Sequence, residues 1–486
     1  MSEELLINVT PQETRVATVE NGMLTEVWIE RVQKIGLVGN IYRGVVKRVL
    51  PGMEAAFVEI GLARSAFLHV SDIANNTRTN DDGTEESLSI SRLLHEGMEL
   101  TVQVIKDPLG TKGARISSNL TAPSRYLVMM PYETNIGISV KIEQDSERER
   151  LRQTIETVRD DETGYIVRTA AEGVEAQALE HDIRFLQKVW RSIRDKSDKA
   201  KAGDVIFRDL PLVLRTLRDI NGSTIERIRI DSRETYSLCV DFAEEYVPEL
   251  IGKIEHYPGE RPIFDLHGVE DEIDRALDKK VFLKSGGYLI IDQTESMTTI
   301  DVNTGAFVGH RNLEETIFKT NLEAAQAISR QLRLRNLGGI IIIDFIDMTI
   351  DEHKRQVLRA LEKSLEKDNA KTQVCEVSSL GLVEMTRKRT RESLEQVLCS
   401  PCTTCNGRGM LKTIETVCFE ITREIIRQVR QFDIKSLTVL ASQEVIVHFS
   451  EERSDDLAEL ESFVGVPIRL QGEQMYTREQ FDVVLL

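Results

Sequence analysis

The segment MTTIDVNTG carries an aspartate and an asparagine two positions apart, Asp301 and Asn303. On a strand, alternation would bury Ile300 and Val302 and put Asp301 and Asn303 together on the opposite face, about 7 Å apart. A second carboxylate, Asp344, ends the run GGIIIIDF, which reads as a short, wholly apolar strand. Its expected place is the carboxyl end of a buried strand, where α/β sheets commonly open their sites. A carboxylate buried there must find a partner or a cation, because burying it unpaired is too costly. Two such aspartates with an amide beside one of them suit a Mg²⁺ that keeps most of its waters and touches a substrate phosphate. The metal would polarise the phosphoryl oxygen and activate a water for in-line attack. Strand-terminal aspartates also cap helices and pair with arginine, and Asp292 and Asp347 compete for the role on spacing alone.

Four further stretches carry chemistry. In GYIVRTAAEG a strand ends at Arg168 and Thr169 and passes toward a helix, so a guanidinium fork beside a hydroxyl can hold a phosphate. The same pair also reads as a surface arginine and a helix cap. In EAAFVEI and SAFLHV, alternation turns Ala56, Val58, Ile60, Ala66, Leu68 and Val70 inward and leaves Phe57 and Phe67 on the polar face, the second beside His69. With Lys106, Lys112 and Arg115 nearby in sequence, two such aromatics match a stacking platform for single-stranded nucleic acid, or else pack beneath another domain. CSPCTTCNGRGML presents Cys402 and Cys405 before a Gly-rich turn, the knuckle geometry that offers two thiolates to one zinc. A thioredoxin-like redox pair should instead open a helix after a strand. Two thiolates are half a site, and Cys399 forms a second CxxC with Cys402.

The elements that position these groups belong to a multidomain chain. Its 486 residues, 41% hydrophobic, suffice for about three domains with cores of their own. No window approaches the ~20 apolar residues of a membrane span, and MSEELLINVT lacks the regions of a signal peptide, so a cytoplasmic protein without a membrane anchor is expected. Six cysteines, half of them within seven residues, read as metal or redox chemistry rather than a disulfide framework. The net charge of −18 argues against a basic coat for nucleic acid. Local basic tracts remain, Arg387, Lys388, Arg389 and Arg391 in MTRKRTRES and Arg330, Arg333 and Arg335 in SRQLRLRN, and each reads as a polyanion groove or a solvated helix face.

Along the chain, the first 35 residues alternate around turns such as VENG and predict two or three antiparallel strands, too few to fold alone. Gly39 to Leu120 reads as a small all-β barrel, broken at Pro51-Gly52, in a polar loop from Asn75 to Ser87, and at Pro108-Leu109-Gly110. KIEQDSERERLRQTIETVRD and GVEAQALEHDIRFLQKVWRSIRDK predict helices around the strand GYIVRTA. KSDKAKAGD and HYPGERPIF are candidate linkers. From about Asp271 come a helix over VEDEIDRALDKKVFL, a hairpin over GGYLIIDQTESMTTIDVN, a long helix stopped by Gly338-Gly339, and the IIIIDF strand, which together predict an α/β layer.

Two sets of motifs carry a resemblance. GNIYRGVVKRVLPGMEAAFVEIGLARSAFLHVSDI resembles an S1 domain, an RNA-binding barrel of the OB class. LKSGGYLIIDQTESMTTIDVNTG and LRLRNLGGIIIIDFIDM resemble the catalytic segment of the ribonuclease E/G family, and the likeness extends over essentially the whole chain. The resemblance implies a multidomain α+β fold: a ribonuclease-H-like subdomain from 1–36 and 214–277, an inserted S1 barrel at 37–119 and 5′-phosphate sensor at 120–213, a DNase-I-like α/β catalytic subdomain at 278–398, a zinc link at 399–415 and a small C-terminal α/β domain at 416–486. It implies that Asp301 and Asp344 bind Mg²⁺, that Asn303 orients an aspartate or the scissile phosphate, and that Arg168, Thr169 and Val128 form the 5′-monophosphate pocket. Phe57, Phe67, Lys112 and Lys371 would contact RNA, with Lys371 standing where the family's ribonuclease E has Arg and so losing the planar fork. Cys402 and Cys405 would meet the same pair from a second chain around Zn²⁺, giving a homodimer or a tetramer.

The implied activity is endonucleolytic cleavage of single-stranded, A/U-rich RNA, leaving a 5′-phosphate and a 3′-hydroxyl. Ribosomal RNA precursors and messenger RNA are the implied substrates. Because the chain stops soon after the cysteine segment, the long C-terminal tail of many ribonuclease E proteins, with its membrane anchor and degradosome scaffold, is not expected. The rivals are a noncatalytic S1-domain RNA-binding scaffold, which has no use for Asp301 and Asp344, and a deoxyribonuclease.

Overall fold

The computed structural model describes residues 3–486 apart from 34, 75–76, 80–84, 109–111, 160–162, 221–224, 306–312, 379 and 390. It has two compact units, Met1–Val397 and Leu398–Leu486.

In the first unit the strands Glu3–Val9, Glu13–Glu20 and Met23–Arg31 form antiparallel hairpins. The turn predicted at VENG is made by Asn21 and Gly22 with φ of 50° and 80°, the two positive values that a tight right-twisted hairpin needs. These strands find their partner far along the chain: Ile225–Ile230 pairs in parallel with Glu3–Val9, and Ile254–His256 pairs with it in turn. Leu5, Ile7, Val16, Leu217, Ile228 and Cys239 fill the core between this sheet and its helices.

A closed barrel follows, in which Ile41–Leu50 pairs with both Ala55–Glu59 and Glu99–Lys106, and Ala66–His69 and Arg115–Ser117 complete the circuit. Gly44 is required for close packing inside the wall, since a Cβ there would lie 2.6 Å from Val58. The Pro51-Gly52 break is a 3₁₀ turn over Pro51–Met53. The polar Asn75–Ser87 loop holds a two-stranded ribbon, Thr77–Thr79 with Glu85–Ser87, while 75–76 and 80–84 lie outside the described residues, as do Leu109 and Gly110. The next body is a four-stranded sheet carrying Leu127–Met130 and Gly164–Val167 beside the helices Asp145–Val158 and Ala176–Ser197, close to the predicted spans. Val205–Phe207, beyond its last helix, pairs back onto the barrel strand Ile41–Leu50.

The last body of this unit is a six-stranded sheet in the order Lys280–Phe282, Tyr288–Gln293, Met297–Asn303, Gly339–Asp344, Leu382–Arg387, Thr372–Val377. The helix expected over VEDEIDRALDKKVFL ends at Arg275, and the end of that segment is the first of these strands, paired with Tyr288–Gln293. The helices Leu313–Leu334 and Asp351–Leu365 cover one face, burying Ile291, Ile300, Val302, Ile341, Ile343 and Met385. The long helix ends before the predicted Gly338-Gly339 stop. Asn336, at φ 48°, takes the left-handed position, and the Leu337 N–H closes back on the Leu332 carbonyl. Gly338 is needed instead for close approach, since a Cβ there would lie 2.7 Å from the Arg389 side chain.

Most arginines of the basic tracts are taken up by contacts within the fold, while Lys388 and Arg389 stay exposed. Arg333 is buried between Glu20 and Glu26, Arg330 reaches Glu272, Arg335 donates to the Asp278 carbonyl, and Arg391 stacks on Trp28. Arg387 and Asp368 form a buried bidentate pair at 2.6 and 3.0 Å. These arginines bind the helix and sheet to the rest of the unit.

The second unit packs the helix Ile414–Gln431 on a three-stranded sheet, Ile468–Gly472, Leu437–Ala441 and Phe481–Leu485, around Val417, Ile421, Ile425, Val439 and Phe449. Among the described residues, no helix is long and apolar enough to cross a membrane.

A buried ion broken from its partner costs about 3–5 kcal/mol, whereas replacing both by apolar groups is close to neutral. Asp368→Ala should therefore lower the unfolding free energy by that amount in urea titrations. Asp368→Leu combined with Arg387→Met should recover most of it.

Candidate active site

Alternation on Met297–Asn303 buries Thr298, Ile300 and Val302 and leaves Thr299, Asp301 and Asn303 on the uncovered face, as the residue pattern predicts. The Asn303 side-chain amide donates to Asp301 Oδ2 at 2.8 Å, which fixes that carboxylate's orientation. The strand pairs in parallel with Gly339–Asp344 so that Asp301 lies directly beside Asp344. The two aspartates are brought together by register alone.

Asp344 departs from its expected setting. Only Ile341 and Ile343 are buried on this strand, while Ile340 and Asp344 are exposed on the other face. A strand covered on one face only follows the two-residue period, so an all-isoleucine run does not mean burial on both sides. Asp344 thus keeps access to solvent and ions. Its carboxyl is still pushed above the usual range, first by partial loss of water and then by the charges of Asp301 and Asp347. Just beyond it opens a cavity of about 270 Å³, lined by Asp347, Met348, Lys354, Val377, Leu380 and Gly381. Asp292 is tied to Lys279 at 2.6 Å.

Among the described residues, no group of three or more His, Cys, Asp or Glu side chains could hold a metal ion. Two adjacent carboxylates on an open face fit a hard cation that retains most of its waters, and a site with a full protein shell they are not. Their mutual repulsion, felt at Asp344, is the kind that a bound cation relieves.

In the barrel, Phe57 and Phe67 lie opposite each other on neighbouring strands with ring centroids 6.1 Å apart in an edge-to-face arrangement. Phe57 is 37% exposed, and Ala56, Val58, Ala66 and Leu68 are buried behind the pair. Lys112 is exposed, whereas Arg115 is held by Asp72 at 2.7 Å. His69 caps its own turn, accepting the Ser71 N–H at 3.2 Å.

Arg168 follows the Gly164–Val167 strand, and Thr169 opens a 3₁₀ turn. The Arg168 guanidinium donates to Asp219 and to the Ser124 carbonyl, each at 2.8 Å, and Thr169 Oγ1 contacts Ser139 Oγ at 2.9 Å. Residue reasoning missed Asp219, which lies 51 positions away. Val128 pairs with Ile166 on the strand beside them. Lys371 is exposed just ahead of the strand Thr372–Val377 of the six-stranded sheet, away in sequence and in element from Arg168 and Thr169.

In the second unit, Cys402 and Cys405 sit on a turn ahead of the Ile414–Gln431 helix, not at a helix start. Asn406 and Gly407 at φ of 50° and 81° let the chain curl back, so that Gly409 N–H points to Cys405 Sγ at 3.4 Å. Hydrogen bonds from the backbone of Cys405 and then Thr404 hold the Cys402 thiol below its usual range. Among the described residues, Cys399, Cys402 and Cys405 do not gather into a group of three that could hold a metal ion.

Comparison with known proteins agrees with this organisation. The Ribonuclease E/G family model matches residues 121–390, the S1 RNA binding domain model 37–117, and the RNase E/G, Thioredoxin-like domain model 401–485. The chain is 55% identical to Ribonuclease G of Escherichia coli strain K12 over the full length of both proteins, and 53% identical to Ribonuclease G of Haemophilus influenzae over 99% of each. It is 39% identical to Ribonuclease E of a Nostoc species over 76% of this chain and 54% of that protein. On the family match over more than half its length and on full-length identity to these relatives, the chain belongs to the ribonuclease E/G family.

Proposed function

We propose that this protein is a Mg²⁺-dependent endoribonuclease that cleaves single-stranded, A/U-rich RNA and leaves 5′-phosphate and 3′-hydroxyl ends. The observation that carries the reading is the side-by-side placement of Asp301 and Asp344 on the open sheet face, with Asn303 bonded to the first. Full-length similarity to proteins named Ribonuclease G supports it. In this reading the five-stranded sheet is the ribonuclease-H-like subdomain and the six-stranded sheet the DNase-I-like catalytic subdomain. The work is done in the cytoplasm, on ribosomal RNA 5′ ends and on messenger RNA in decay.

Asp301 and Asp344 would hold the Mg²⁺, which supplies positive charge to a phosphate oxygen and acidifies a water when bound. Asn303 holds the Asp301 carboxylate through its side-chain amide and would have a second N–H left for the scissile phosphate. Water adds to phosphorus as the bond to O3′ breaks, and the departing O3′ takes up a proton, which yields the stated ends. The S1 barrel would hold bases on Phe57 and Phe67, with Lys112 supplying charge to the backbone. Arg168 and Thr169, beside Val128, would grip a 5′-monophosphate. The phosphate would take the place of Asp219 on the guanidinium. Lys371 adds a charge without a fork. Cys402 and Cys405 would supply half of a Zn²⁺ site whose other half is the same pair in a second chain, linking a dimer or a tetramer.

Asp301→Asn should cut the rate on a 5′-monophosphorylated A/U-rich oligonucleotide with Mg²⁺ by at least about 100-fold, close to 2.7 kcal/mol of barrier. Undiminished cleavage by the variant would sink the mechanism, and no cleavage by either protein would favour a binding scaffold. A DNA oligonucleotide of the same sequence should survive intact. Arg168→Ala should erase the rate difference between 5′-monophosphate and 5′-hydroxyl substrates. If the difference persists, Arg168 is a structural partner of Asp219 and nothing more. Cys402→Ser or Cys405→Ser should lower both zinc content and oligomer size, measured by elemental analysis and light scattering. A variant that keeps both would return the motif to a single-chain role.

A further inference from the structure

The face that carries Asp301 and Asn303 continues to the sheet edge at Lys280–Phe282. In one row of the register Asn303 lies beside Tyr288 and Tyr288 beside Phe282; in the next, Asp301 lies beside Ile290 and Ile290 beside Lys280. With strands about 4.8 Å apart, Tyr288 is one strand and Phe282 two strands, roughly 10 Å, from Asn303. Alternation sends Val281 into the core and leaves Phe282 74% exposed. Lys280 Nζ stands 3.8 Å from the centre of the Tyr288 ring and 5.0 Å from that of Phe282. It has no carboxylate partner among the described residues, so its charge is open to a further anion.

This edge is held firmly. The Leu283 N–H bonds the Gly287 carbonyl at 2.8 Å across the hairpin turn, and the Glu323 carboxylate accepts the N–H groups of Lys284 and Ser285 at 2.5 and 3.1 Å. A lone exposed phenylalanine needs no explanation. A phenylalanine, a tyrosine and a free lysine in one cluster, in register with the two carboxylates, form a more specific combination. Aromatic faces take bases of any sequence, and a neighbouring cation takes the phosphate between them.

We infer that Phe282, Tyr288 and Lys280 form a base-stacking subsite for a nucleotide of the RNA strand next to the phosphate over Asp301 and Asp344. It deepens the nuclease reading and rests on it for the polarity of the site. The subsite is separate from the Phe57–Phe67 platform of the barrel and gives the strand a second aromatic hold on the catalytic sheet itself. Lys280 also offsets part of the repulsion that this acidic face exerts on a polyanion.

The test uses the full-length protein and a fluorescently labelled single-stranded A/U-rich RNA, with binding measured without added magnesium and cleavage measured with it. Phe282→Ala should weaken binding roughly 5- to 150-fold, the range for one lost base stack, and Phe282→Trp should restore it. Replacing one base at a time by an abasic site should reveal a position beside the cleaved bond that matters to the wild type and no longer matters to Phe282→Ala. Wild-type binding and cleavage by Phe282→Ala, with its thermal melt unchanged, would overturn the inference. So would a change in oligomer size with RNA affinity intact, which would make the face a protein contact. If the abasic position couples to Phe282 but magnesium brings no cleavage, the nuclease reading fails and the RNA subsite stands.

Discussion

The site depends on one strand pairing, the parallel register of Met297–Asn303 with Gly339–Asp344. A slip of one residue would turn Asp301 and Asn303 into the helix-covered face and bring Ile300 and Val302 out. Such a slip is resisted because Ile300, Val302, Ile341 and Ile343 are all buried under the same two helices. Hydrophobic burial on one side of the sheet thus determines how two negative charges are placed on the other. The carboxylates oppose that pairing if anything, since the Asp344 carboxyl is pushed up first by partial loss of water and then by the charges of Asp301 and Asp347. The arrangement is stable because the apolar face outweighs the repulsion on the polar one, with each fully buried aliphatic side chain contributing about 1.5–3 kcal/mol.

The crossover helix that makes this pairing parallel is itself anchored by charge. Arg333 near its end reaches Glu20 and Glu26, and Arg330 reaches Glu272, so the helix is bound to the N-terminal sheet through ions rather than apolar contact alone. Burial pushes the Glu26 carboxyl up against the pull of Arg333, while at Glu20 burial is outweighed by Arg333 and Lys367 and the group is held low. One guanidinium therefore serves two carboxylates in different settings. A chain with so large an acidic excess has spent several of its arginines inside.

That use of arginine marks the limit of what the residues alone disclose. The shared face of Asp301 and Asn303, the outward Phe57 and Phe67 and the helices flanking Arg168 were legible, because each follows from a period of 2 or 3.6 within a short window. Partnerships across long stretches of chain were not. Arg333 and Glu20 are 313 positions apart, Arg168 and Asp219 51, and composition near one carries no sign of the other. The exposure of Asp344 was misread for a related reason: four isoleucines in a row look the same whether a sheet is covered on one face or two. The stop at Asn336 was hidden by the more conspicuous glycines after it, whose job is close packing.

The first three strands gain their parallel neighbour only at Ile225–Ile230, after the barrel and the sheet that follows it have been threaded in between. During synthesis at about 5–20 residues per second, roughly 10–40 s pass between the emergence of Val9 and that of its neighbour. For that interval the Glu3–Val9 strand has an open edge, the kind of surface on which chains join the wrong partners. The intervening barrel closes on itself and can be complete before the wait ends. The order of the chain thus makes the oldest part of the nascent protein the last part of its half to be finished, and assigns the period of greatest aggregation risk to translation rather than to the folded enzyme.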